Sequence, residues 1–168
     1  MAVGDEYAVE IGRLSIAFAR ADYYIHGIVI ELIDPEQPEV GAALLQGKNA
    51  QQVLEFARKL IPLRAEDDER VASLMEPLND AVARADEVRT VRNRCLHSIW
   101  MAFPGQPTAT LLNDRRHEEM SLAELQDHVV VAEEAGDVVS DAWERLAHAF
   151  GAFDALIAAT REMDPGWD

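Results

Sequence analysis

The stretch that decides the fold runs from Ser121 to Ile157, SLAELQDHVVVAEEAGDVVSDAWERLAHAFGAFDALI. In it Leu122, Leu125, Val129, Ala132, Gly136, Val139, Trp143, Leu146, Phe150, Phe153 and Ile157 recur at alternating intervals of three and four. That spacing lines one face of a 3.6-residue helix, so it predicts a helix over 121–160. Ser121 followed by Glu124 has the spacing of a capping box, which marks its start. A stripe this regular suits the low-angle packing of helices in a bundle. Gly136 and Trp143 read as close-packing positions on it.

Working toward the N-terminus, residues 98–113 change character. Ile99 to Phe103 and Thr108 to Leu112 are rich in aromatic, aliphatic and β-branched residues, with Pro104-Gly105-Gln106-Pro107 between them. This predicts a small β-hairpin inserted before the last helix and leaning on the bundle. Before it, Val71, Leu74, Leu78, Val82, Ala85 and Val88 mark a helix over 66–97. Its acidic opening, Glu66 to Glu69, suits the positive end of a helix dipole. Pro77 lies inside this pattern and predicts a kink there, or two helices. A shorter helix is expected over 49–61, with Asn49 and Gln52 as capping box and Pro62 at its end. Gly41 to Gln46 can add a turn before it. The first helix spans 5–33, with Ile11, Leu14, Phe18, Ala21, Ile25, Ile28 and Leu32 on one stripe. Tyr7, Ile16, Tyr23 and Ile30 widen its apolar surface, so it should be covered on more than one side. Asp34-Pro35 ends it.

These elements define an all-α chain, an antiparallel four-helix bundle with a hairpin insertion, in one domain over 1–168. The apolar fraction of 49% over 168 residues is enough for a core without disulfides or metals. Cys95 is the only cysteine, which fits a reducing compartment. The acidic N-terminus does not read as a signal peptide, and no apolar run approaches the ~20 residues a bilayer requires. The chain is therefore read as cytoplasmic, with no membrane partner. The frayed tail is expected at 164–168.

Charge restricts the function. There are 15 basic and 31 acidic residues, for a net charge of −16. Such a balance disfavours general nucleic-acid binding, which rests on basic residues meeting phosphates. The distribution is uneven, however. Arg84, Arg89, Arg92 and Arg94 lie together, whereas the chain from Ser121 onward is strongly acidic. Arg115-Arg116-His117 forms a second small basic patch.

The strongest chemical signal is Arg92-Asn93-Arg94-Cys95-Leu96-His97. Asn93 and His97 are four apart and share a helix face. Arg92 and His97 are about 140° apart on an ideal helix, a gap that a long side chain can close. An arginine gives a phosphate paired, permanently charged hydrogen bonds. A histidine moves protons near neutral pH. Beside one phosphodiester, the two suffice in principle for RNA cleavage without a metal. The alternative is structural: Arg92 pairs with a neighbouring acid and His97 caps a helix C-terminus. Asp22 with His26, and Glu144 with His148, have i,i+4 spacing and read as surface pairs. No HExxH and no paired Glu-x-x-His occurs, so no metal ligands and no cofactor are expected.

The stretch from Arg92 to Ser98, at the end of a bundle helix and followed by Trp100 and a hairpin, resembles the HEPN superfamily. The resemblance covers most of the chain, but its motif has only three informative residues. It implies a helical bundle that often pairs as a homodimer and brings two motifs into one cleft. Many members cut RNA as toxins or antiphage effectors, and others are silent interaction modules. By position, Arg92 would bind phosphate, His97 would act as acid or base, and Asn93 would be the polar companion. The implied partners are RNA and a cognate antitoxin or effector protein. Two rival functions follow: a non-catalytic interaction module, and an acidic mimic of nucleic acid that blocks a basic partner.

Overall fold

A computed structural model describes residues 4–103, 106–113 and 116–151. The described residues form six helices and one small sheet: α1 (Asp5–Ile33), α2 (Pro38–Leu45), α3 (Ala50–Asp67), α4 (Glu69–Ser73), α5 (Met75–Leu96), β1 (Ile99–Ala102), β2 (Thr108–Asn113), β3 (Arg116–Ser121) and α6 (Leu122–Ala149). Phe153, Ile157, the tail, Pro104-Gly105 and Arg115 lie outside the described residues.

Local chemistry explains most boundaries. Both expected capping boxes form, Asn49 with Gln52 and Ser121 with Glu124. Each satisfies two N–H groups that the first helical turn leaves free. Pro62 does not end its helix, because α3 runs on to Asp67. Pro62 is exposed, so the carbonyl that loses its N–H partner there faces water. The helix expected over 66–97 is instead three pieces: the end of α3, α4 and α5. The chain turns at Asp68, whose carboxylate accepts the Arg70 N–H at 2.9 Å, and again at Leu74. Pro77 lies in the first turn of α5, where its missing N–H has no partner to lose. The bend therefore precedes the proline.

The hairpin β1–β2 forms, and β3 extends it to an antiparallel sheet in the order β1-β2-β3. The third strand was not expected, since in Arg116 to Ser121 only Met120 is apolar. Met120 pairs with Ala109, which pairs with Ala102, and this row is buried or half-buried under the helices.

The core has two ends. At one, Ile25, Ile28 and Leu32 of α1 pack with Val53 and Ile61 of α3, Val71 of α4, Leu78 and Val82 of α5 and Val139 and Leu146 of α6. At the other, Tyr7, Leu14 and Ala17 of α1 pack with Val88 and Cys95 of α5, Leu111 and Met120 of the sheet and Leu125 and Val129 of α6. The chain thus enters α5 at the end where it leaves α1, and α5 runs antiparallel to α1. The sheet then returns it at the end where α1 begins. As a result α1 and α6 run side by side in the same direction: Tyr7 meets Met120, Arg13 meets Glu133 and Arg20 meets Asp137. The strict up-and-down alternation expected from sequence is not kept, because α2, α3 and α4 begin and end at one end of the core.

Part of α1 is not covered. Tyr7 is buried and Ile30 half-buried, but Ile16 is 72% and Tyr23 69% exposed. No described helix is long and apolar enough to cross a membrane.

Candidate functional site at the end of α5

Cys95, 1% exposed, and Val88, also 1%, anchor the last turns of α5 in the core. Helical geometry then fixes the rest of the motif. Arg92 is directed to the α1 side, Arg94 to the α6 and β3 side, and Asn93 and His97 point outward.

Arg92 is well held. Its guanidinium lies 5.1 Å from the Phe18 ring centroid, a cation–π arrangement. Its Nη1 donates to Asn93 Oδ1 at 2.9 Å. Its Nε is buried and has no hydrogen-bond partner among the described residues. On α1 next to Phe18, burial pushes the Asp22 carboxyl above its ordinary range, while His26 and Arg92 pull it back. The His26 Nδ1 lies 2.8 Å from the Asp22 carbonyl oxygen and 3.7 Å from its Oδ1. Asp22 thus lies between His26 on its own helix and Arg92 on α5.

His97 is the C-cap residue of α5, and its N–H donates to the Asn93 carbonyl at 3.0 Å. It is exposed, and among the described residues no hydrogen bond or ion pair to its ring is recorded. The structure therefore joins Arg92 and Asn93 directly and leaves the His97 imidazole free one turn further on.

Arg94 belongs to a separate site. Its Nη2 lies 2.9 Å from His128 Nε2 and its Nε 3.8 Å from Glu118. An arginine only donates, so His128 accepts and is neutral with its proton on Nδ1. Burial, then Arg94, holds the His128 pKa below its ordinary value. These residues line a groove of about 450 Å³ with Glu119, Glu124 and Asp127. It is acidic and lies on the far flank of α5 from Arg92, so it does not extend the motif. Burial pushes the Cys95 thiol up, which suits a packing residue rather than a nucleophile.

Sequence spacing had marked Asp22 and His26 as a pair but gave no link to Arg92. That link is tertiary: it depends on α1 and α5 running antiparallel with Phe18 opposite Arg92. Among the described residues no group of three or more His, Cys, Asp or Glu side chains could hold a metal ion. No family model, curated protein or solved structure matches this chain.

Proposed function

We propose that this chain is a HEPN-like bundle acting as a metal-independent endoribonuclease, with Arg92 as the phosphate-binding residue, Asn93 as its companion and His97 as a proton-transfer residue. The observation that carries this reading is the state of the motif. Arg92 is oriented by Phe18 and Asn93, and His97 is exposed and uncommitted. A purely structural arginine and histidine would be tied up in ion pairs and caps. Among the described residues neither is paired with a carboxylate within 4.0 Å, and only the His97 backbone serves the helix end. An arginine so placed can stabilise charge on a transferring phosphoryl group.

The reading includes a two-fold homodimer through α1. Val9, Gly12, Ile16, Ala19 and Tyr23 alternate by three and four on its uncovered face, and all five are exposed. In an antiparallel pair of α1 helices, Ile16 of each copy meets Ala19 of the other, and Tyr23 meets Gly12. Large residues then oppose small ones. Arg13 and Arg20, which flank the stripe, are already paired with Glu133 and Asp137. The axis falls beside Phe18 and would bring two copies of the Arg92 groove together. The mimic reading has less support, since Glu133 and Asp137 of the acidic α6 are engaged by arginines of α1.

The test is cleavage of total RNA and tRNA in EDTA by wild type, Arg92→Ala and His97→Ala. Cleavage by wild type that is lost in both variants, with unchanged circular dichroism, supports the reading. No cleavage by any form turns it to the non-catalytic interaction module, in a toxin–antitoxin or phage-defence setting or outside one.

A further inference from the structure

Cleaving RNA without a metal moves two protons. The 2′-hydroxyl oxygen bonds to phosphorus and the bond from phosphorus to the 5′ oxygen breaks, leaving a 2′,3′-cyclic phosphate. A base takes the proton of the 2′-hydroxyl, and an acid gives one to the departing 5′ oxygen. Nothing is oxidised or reduced. The motif on α5 supplies one histidine, which cannot be base and acid in the same protonation state. In the antiparallel α1 pair the two copies of His97 fall toward opposite ends of the seam, so each phosphate needs a second proton-transfer group from outside the motif.

Beside Asp22 there is one. His26 is on α1, its side chain 30% exposed. Its Nδ1 faces a carbonyl oxygen at 2.8 Å, so Nδ1 carries a proton in every state and Nε2 is the atom that exchanges one. Asp22 Oδ1 lies 3.7 Å from Nδ1. The charged groups recorded around His26 are Asp22 on its own helix and, through Asp22, Arg92 on α5. Among the described residues, no carboxylate of α2, α3, α5 or α6 forms an ion pair with His26.

We infer that His26, oriented by Asp22, is the general acid that protonates the 5′ leaving oxygen of a phosphodiester held at Arg92. This rests on the ribonuclease reading and adds a residue to it. Within one copy, α1 and α5 run antiparallel. Arg92 lies by Phe18 and Trp100 by Tyr7, so His97 and His26 sit toward opposite ends of the groove. The antiparallel α1 pair turns the His97 end of one copy toward the His26 end of the other. Base and acid then flank one phosphate from two copies. Asp22 is a positioning residue: it holds the ring and touches no substrate.

The test uses the full-length protein with two matched RNA oligonucleotides in EDTA, one with an ordinary 5′ oxygen at the scissile bond and one with sulfur in its place. A thiolate leaves without protonation. His26→Ala should slow cleavage of the oxygen substrate by about a hundredfold or more and flatten the alkaline limb of its pH–rate profile. The sulfur substrate should be cut within about tenfold of the wild-type rate, since a general acid contributes little when the leaving group needs no proton. Equal loss on both substrates, or no loss on either, overturns the assignment while leaving the ribonuclease reading standing. Absence of cleavage by wild type overturns both. As a readout besides activity, inorganic phosphate should raise the His26 pKa followed by NMR in wild type and not in Arg92→Ala. An unmoved His26 signal contradicts its place beside the phosphate.

Discussion

Arg92 owes its direction to α1 as much as to its own helix. Phe18 supports the guanidinium plane and Asn93 takes one of its N–H groups. A lysine could sit over the ring and donate one hydrogen bond, but it lacks the planar fork that gives a phosphate paired bonds while both contacts hold. Arg92→Lys should therefore lower RNA cleavage by about a hundredfold or more, with thermal stability nearly unchanged, as measured by initial rates and a melting curve. The residue types of this site were legible in sequence, and so was the i,i+4 face shared by Asn93 and His97. The Phe18 support was not, because helical spacing reports what lies along one helix and nothing about the helix across the groove. Two titratable groups, half-buried His128 and buried Glu31, give opposite pH effects. His128 has its pKa held down by burial and Arg94, so its neutral form stabilises the fold above the ordinary histidine range. That contribution is lost as pH falls through its depressed value. Denaturation midpoints should fall between pH 7 and pH 5.5, and His128→Gln, which keeps an acceptor and cannot charge, should lessen the fall. Glu31 is 9% exposed, its Oε2 has no hydrogen-bond partner among the described residues, and burial holds its pKa up. Its protonated form stabilises the fold at low pH, and the contribution is lost as pH rises through the raised value. Glu31→Met should stabilise by about 1 kcal/mol at pH 7 and by less at pH 4.5, measured by urea denaturation.

At the scale of elements, the long amphipathic helices were the most legible part of the chain. The boundaries of α1 and the start of α6 follow from Asp34-Pro35 and from the Ser121–Glu124 box. The third strand was not legible. Glu118 and Met120 turn to one face and His117 and Glu119 to the other, so a single apolar residue carries the whole pattern. Charged residues on such an edge strand discourage further pairing, and they also hide it from hydrophobic periodicity. Pro62 misled for a similar reason: a proline on the wet side of a helix costs less than one facing the core. Close approach of α1 and α6 gives a specific prediction. A Cβ built at Gly27 would lie 2.5 Å from Trp143 Nε1. Gly27→Ala should therefore destabilise by about 1–3 kcal/mol, although alanine is the better helix former by roughly 1 kcal/mol. Chemical denaturation of the two proteins decides it.

For the whole molecule, the two-ended core explains where the candidate site lies. The sheet closes one end, and α5 finishes against it, which leaves the last turn of the helix at the rim of the groove beside α1. In the sequence, Tyr7, Ile16, Tyr23 and Ile30 point to a first helix covered on more than one side. Within one chain Ile16 and Tyr23 stay exposed, and the proposed second copy would supply the cover. Ile16→Glu should convert a dimer to a folded monomer in sedimentation equilibrium and abolish cleavage with it. A net charge of −16 per copy opposes association at long range. Raising salt from low values should strengthen the dimer, because it screens that repulsion more than it weakens an apolar seam. The central claim is metal-independent cleavage at Arg92 and His97, and the chemistry of the product ends tests it most directly. RNA cut in EDTA by the wild-type protein and analysed by mass spectrometry should end in 2′,3′-cyclic phosphate and 5′-hydroxyl groups, with no product from Arg92→Ala or His97→Ala. Products ending in 5′-phosphate, or cutting that survives both substitutions, would contradict the account.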